Sequence, residues 1–164
     1  MFLAFVISFV SFNAMANWSL TAGLNLSEYD DAANTNYDRE MGWQFGTFYF
    51  HKLTGTGHLK TGAVLTQRKS SVSNLKFDPL YLDLPIQWQM LAANNFSFFL
   101  GPKLALNLDD DNTNVKSTFL LANFGGNIAI NNISSIDFFY ETNLTDFAPN
   151  TDVTAFGFAY VHKI

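Results

Sequence analysis

Apolar and polar residues alternate along most of this chain with a period of two. Trp18, Leu20, Ala22, Leu24 and Leu26 interleave with Ser19, Thr21, Gly23, Asn25 and Ser27. From Leu80 the contrast sharpens, with Leu80, Leu82, Leu84, Ile86, Trp88 and Met90 set against Tyr81, Asp83, Pro85, Gln87 and Gln89. Successive side chains of a strand point to opposite faces, so this period predicts strands and excludes helices, whose period is 3.6. The pattern returns in residues 41–51, 59–68, 96–108, 118–130, 135–144 and 153–164, which with the first two segments makes eight strands. In residues 41–51, Trp43, Phe45 and Tyr49 mark one face while Phe48 and Phe50 fall on the other. Either a β-bulge or a plug of aromatics at one end accounts for that.

Most of these segments reach ten residues or more, beyond the usual five or six of soluble strands and close to the roughly 9 to 11 that a tilted strand needs to cross a bilayer. The connections alternate in length. Long polar segments at residues 28–40, 69–78, 109–116 and 145–152 take turns with short ones at 54–57, 92–95 and 131–134. Gly55, Gly57, Asn94, Asn95, Asn131 and Asn132 suit the short ones, because Gly and Asn tolerate the backbone angles of tight hairpins. Long and short connections on opposite ends, with an even strand number, predict an all-β, eight-stranded antiparallel transmembrane β-barrel of up-and-down meander topology, with periplasmic termini and extracellular long loops. Closure is required, since an open sheet edge would leave unpaired N–H and C=O groups in hydrocarbon.

Charge decides which face meets which solvent. Charged residues make up only 14% of the chain, against 48% apolar and 16% aromatic, with 18 Phe. A soluble domain usually carries about 25% charged residues. Of the 14 acidic residues, all but Asp83, Asp137 and Glu141 lie in the long segments or at strand mouths. Those three share a face with Lys60, Arg68, Lys103 and Lys163, and Gln87 lies on it too. The opposite face carries almost no charge, as a lipid-facing surface demands, because a Lys or Arg there costs roughly 2 to 4 kcal/mol at the bilayer midplane. A soluble barrel with its apolar face inward would have to fit Leu82, Leu84, Trp88, Phe98, Phe138, Phe156 and Phe158 into an interior that eight strands keep narrow. The polar set of Lys60, Arg68, Asp83, Gln87, Lys103, Asp137, Glu141 and Lys163 is therefore expected inside, as an ion-pair network that plugs the barrel; the alternative is the lining of a narrow pore for small solutes.

Residues 1–16 hold no charged side chain and run through Phe2, Leu3, Phe5, Val6, Ile7, Phe9, Val10 and Phe12 to Ala14-Met15-Ala16. A short apolar run ending in small residues predicts a cleavable signal peptide, with the barrel domain over residues 17–164. Cysteine is absent, which removes disulfides and thiolate metal sites from consideration. A net charge of −5 argues against nucleic-acid partners, which want basic patches. His51, His58 and His162 are placed near the periplasmic strand ends, where no Ser and acid can be assigned to them in the roles a catalytic set requires. Asp109-Asp110-Asp111-Asn112 with Asn114, and Asp30, Asp31, Asp38 and Glu40 in the first long segment, offer oxygen ligands but not the spacing or glycine of an EF-hand, so they read as solvated loops. No metal or other cofactor is expected.

Tyr81-Leu82-Asp83-Leu84-Pro85-Ile86, Phe99-Leu100-Gly101-Pro102-Lys103-Leu104 and Tyr140-Glu141-Thr142-Asn143-Leu144 resemble motifs of the PorT-like outer-membrane β-barrel family, within the wider group of small OmpA/OmpX-type barrels. Two departures stand out: Leu84 where Ile is common, and Ile164 where a terminal Phe is frequent, so Phe156, Phe158 and Tyr160 would have to serve as the terminal aromatic signal. The resemblance implies an integral protein of a Gram-negative outer membrane, in contact with its lipids and lipopolysaccharide, delivered by the barrel-insertion machinery and expected to be a monomer. It implies no reaction. The function expected is non-catalytic: structure, surface contact or envelope assembly, with a narrow pore or a lipid A-modifying enzyme as alternatives.

Overall fold

The computed structural model describes residues 17–31, 38–53, 55–72, 75–109, 117–145 and 151–164. The expected signal peptide, the run Asp110–Asn112 and Asn114 lie outside the described residues. The strands are β1 (Trp18–Asp31), β2 (Asp38–Lys52), β3 (Gly57–Gln67), β4 (Ser70–Val72), β5 (Leu75–Phe77), β6 (Leu80–Ala93), β7 (Phe96–Asn107), β8 (Thr118–Ala129), β9 (Ser134–Asn143) and β10 (Thr151–Lys163). β4 and β5 form a small hairpin that continues from the far end of β2, outside the closed ring. The other eight pair antiparallel in chain order, β3 passing directly to β6, and β1 pairs with both β2 and β10. Leu24 thus lies opposite Phe158 on one side and Trp43 on the other. The result is a closed all-β barrel of eight antiparallel strands.

The two faces separate as the alternation requires. All eight wall strands turn large apolar side chains outward: Leu24, Phe45, Leu65, Ile86, Leu100, Phe124, Phe138 and Phe158 are one from each, most of them about half exposed. Inside, buried residues form layers along the axis. Tyr29, Tyr81, Ala105, Phe119, Leu121 and Val153 pack together at the end bearing the long connections. Phe48, Val64 and Val161, joined by Phe50, and Phe99, Phe139 and Ala159 form two further clusters toward the short turns. Polar and charged side chains fill the space between.

Inward glycines make room for those rings, Gly62 opposite Phe48 among them. A Cβ on Gly125 would lie 2.7 Å from Phe99 Cζ, and one on Gly157 would lie 2.6 Å from Phe139 Cζ. Both are far inside van der Waals contact, so each ring occupies the volume that its cross-strand glycine leaves vacant.

Two details differ from the sequence expectation, and a third decides an alternative it left open. β1 continues to Asp31 and β2 begins at Asp38, because pairing of β1 with β10 runs on through Asp31↔Thr151, so the first long connection is shorter than residues 28–40. The second, residues 69–78, is not all loop: β4 and β5 pair with each other, and β4 adds to the far end of β2 through Asp38↔Ser71 and Arg39↔Ser70. In β2 the aromatic reading holds over the bulge. Its register with β1 and β3 has no shift, and Phe48 and Phe50 contact each other edge to face at 6.4 Å. The register break in the wall lies instead between β6 and β7, at Leu91/Ala93.

Candidate functional site

The polar interior is positioned by strand parity. Even-numbered residues of β3 and odd-numbered residues of β6 to β10 face the axis, which brings Lys60, Asp83, Gln87, Lys103, Asp137 and Glu141 inside, and Arg68 joins them just past the end of β3; all are 5% exposed or less. Lys163 has the same parity but occupies the last strand position, and it is exposed at the barrel mouth rather than buried with the others.

The buried set divides into two clusters. Near the long-connection end, Arg68 donates two hydrogen bonds to Asp83, Nη1 to Oδ1 at 3.2 Å and Nη2 to Oδ2 at 2.8 Å, and Nη2 also reaches Glu141 Oε2 at 2.7 Å. Thr66 Oγ1 donates to Asp83 Oδ2 at 2.7 Å. Lys103 pairs with Glu141 and lies 3.5 Å from Asp83 Oδ2. Asn123 donates to Glu141 at 2.8 Å and accepts from Gln87. The Arg68 guanidinium sits 5.2 Å from the centre of the Tyr81 ring, the floor of the apolar layer above.

Toward the short turns, Lys60 Nζ donates to Asp137 Oδ2 at 2.5 Å while its ammonium lies 4.1 Å and 4.4 Å from the ring centres of Phe48 and Phe99. The cation–π contacts partly replace the water the ammonium has lost. Asn127 Nδ2 donates to Asp137 Oδ1 at 2.5 Å and to Ser135 Oγ at 2.8 Å. Among the described residues, three buried cations therefore face three buried carboxylates, and each carboxylate touches a cation. Only a pocket of about 20 Å³ separates the two clusters, lined by Lys60, Gln87, Lys103 and Asp137 among others.

Below the lower cluster the bore widens into a cavity of about 240 Å³ at the end carrying the short turns and both Trp18 and Lys163. His58 lines it, whereas His51 is exposed at the end of β2. His162 lies on β10 with Nδ1 3.2 Å from Ser134 Oγ, which in turn is 2.7 Å from Tyr160 Oη. At the opposite end the described acidic residues Asp30, Asp38 and Asp109 are exposed, and Arg39 pairs with Glu28. Among the described residues, no three His, Asp or Glu side chains converge as a metal site.

A closed ring of eight long strands, apolar outside and ionic within, is the architecture of a particular class of protein. The chain is folded as small outer-membrane barrels are. Neisserial surface protein A superposes with a TM-score of 0.70 over 90% of this chain and 97% of its own, at 13% identity. The outer membrane enzyme PagL matches at 0.62, covering 89% of this chain and 99% of its own, again at 13% identity. Ail, the attachment invasion locus protein of Yersinia pestis, solved with the heparin analogue sucrose octasulfate, matches at 0.56 over 88% and 97%, at 17% identity. No family model matches the sequence. No curated protein matches it either. The likeness thus shows a fold of the small OmpA/OmpX kind, and the narrower resemblance to PorT-like proteins rests on the short motifs alone.

Sequence reading selected the charges by face and left out Thr66, Asn123 and Asn127, which complete the network. Their signal was available in the same parity, Asn123 and Asn127 alternating with Ala122, Phe124 and Ile128 on β8.

Proposed function

We propose that this protein is an integral barrel of a bacterial outer membrane, closed to solute flow, whose role is non-catalytic contact or assembly at the cell envelope. One observation carries the reading: apolar side chains girdle the wall on every strand while the cations and carboxylates cancel one another inside. In water that girdle would be an apolar surface far larger than the few hundred Å² a soluble monomer usually exposes. In lipid it is the required solvent-facing surface. The short-turn end faces the periplasm and the long connections face outward, following the general asymmetry of such barrels.

The non-catalytic part of the proposal rests on the polar groups themselves. The buried carboxylates are held by cations, and the Ser134 and His162 pair has Tyr160 beside it rather than an orienting carboxylate. Against a pore, the apolar layer of Tyr29, Tyr81, Phe119 and Leu121 closes one end of the bore and the two ion clusters fill its middle. Fold by itself does not choose, since the structural neighbours include a surface protein, an attachment protein and an enzyme.

The test is made on protein extracted in detergent from the outer-membrane fraction and inserted into planar bilayers. Unheated protein should migrate differently from boiled protein on a gel, and steady single-channel current should be lacking. Recovery in the soluble periplasmic fraction would end the membrane reading; reproducible channel steps would replace the plug with a pore.

A further inference from the structure

Eight ladders close the ring, and six of them pair without a gap along the described residues. The other two are the two edges of β6. Against β3 the pairs pass from Thr61↔Ile86 to Val64↔Asp83, and against β7 from Pro85↔Lys103 to Trp88↔Leu100, each skipping two positions with the register kept. Nearer the short turns, the register with β7 shifts between Leu91 and Ala93. Residues 86–91 are thus bounded by an interruption at each end.

Proline chemistry sets the upper boundary. The skipped positions place Gly62 opposite Pro85 and Ile86 opposite Pro102. Opposed residues of an antiparallel ladder exchange N–H···O bonds at every second position, and proline has no N–H to give. Pro85 still pairs with Lys103 on its other side and Pro102 with Ala122, so the lost bonds are those to the Gly62 and Ile86 carbonyls. One strand therefore lacks a ladder bond on both edges at one level. Hydrocarbon supplies no replacement donor, which is why continuous ladders hold a barrel shut. Opening the wall beside β6 breaks fewer bonds than opening it anywhere else.

The inner face of this stretch divides two spaces. Pro85 and Gln87 line the 20 Å³ pocket together with Lys60 and Lys103, whereas Gln89 and Leu91 line the 240 Å³ cavity. Outward movement of residues 86–91 joins the pocket to the cavity and brings water from the short-turn end to Lys60. The layer of Tyr29, Tyr81 and Phe119 lies beyond both ion clusters, so the movement lengthens the blind bore without making a channel.

We infer that residues 86–91 of β6 form a movable panel of the wall, which opens locally ahead of global unfolding and admits water to the lower ion cluster. Local openings of this kind are read by amide hydrogen exchange. The measurement is made by mass spectrometry on the barrel refolded in detergent, with residues 122–127 of β8 as the control, because they pair with residues 97–102 of β7 from its opposite edge. Residues 86–91 should be protected at least tenfold less. Pro102→Val returns a donor to Ile86 and, at an exposed outer position, should keep the gel shift of the folded barrel while raising the protection of residues 86–91 at least fivefold. The chain has no cysteine, so Gln87→Cys adds a single buried thiol. That thiol should react with a water-soluble methanethiosulfonate in the folded barrel, and at least fivefold more slowly with Pro102→Val added. Equal protection of the two stretches, protection unmoved by Pro102→Val, or a thiol that stays unlabelled until the barrel unfolds overturns the panel and leaves the membrane reading intact.

Discussion

At the residue scale, each interior charge depends on partners far away in sequence. Glu141 accepts from Arg68, Lys103 and Asn123, which come from the chain just past β3 and from β7 and β8. Replacing it with alanine leaves two buried cations sharing Asp83. Truncating one partner of a buried ion pair costs about 3 to 5 kcal/mol, whereas an exposed pair is worth about 1 kcal/mol at most. Urea unfolding of the refolded barrel should therefore show a loss of that size for Glu141→Ala and almost none for Glu28→Ala, whose bond to Arg39 is solvent-exposed. Sequence parity alone located the buried charges, because a period of two permits only two faces and lipid excludes charge from one. It could not pair them. Lys60 and Asp137 are 77 positions apart, and only the register of the closed ring decides that they meet. Parity also misplaced Lys163, since facing inward at the last position of a strand means facing the mouth.

At the scale of the element, alternation outweighed local signals that argue against strands. Pro85 and Pro102 lie in the middle of β6 and β7, although proline donates no ladder hydrogen bond and is usually confined to sheet edges. The wall accommodates them at one level: between β6 and β7 the paired positions pass from Pro85↔Lys103 to Trp88↔Leu100 with the register unchanged. The β4–β5 hairpin was not legible, because three-residue strands are too short for a period to establish itself. The inward glycines were legible only as weak strand residues, since what they accommodate is a ring on the next strand. Gly125→Val would force a side chain into the space of Phe99 Cζ. Overpacking of this kind costs about 1 to 3 kcal/mol, and more where backbone cannot yield. The nearest atom to the added Cβ is the Phe138 carbonyl oxygen, which belongs to the wall itself, so the refolded variant should lose cooperativity in urea and Phe99→Ala should not restore it.

At the scale of the whole molecule, the sorting of side chains is the property to challenge. Phe158 is half exposed midway along β10, with neighbours Leu24 and Phe138 on either side. Phe158→Lys should lower stability in bilayers by about 2 to 4 kcal/mol. Asp78→Lys, exposed between β5 and β6, should leave it unchanged. Equal tolerance of both would contradict lipid as the outer solvent. Fold class and orientation of the faces could be read from the chain because membrane-spanning strands obey one simple rule along their whole length. The cavity could not, since its lining comes from all eight wall strands, which only the closed ring brings together. That cavity gives the cylinder a direction. Stoppered by tyrosine and phenylalanine at one end and open at the other, it is a well rather than a pipe. The well therefore opens toward the short turns, and a change of partner at the opposite surface, beyond the aromatic stopper, leaves that opening untouched.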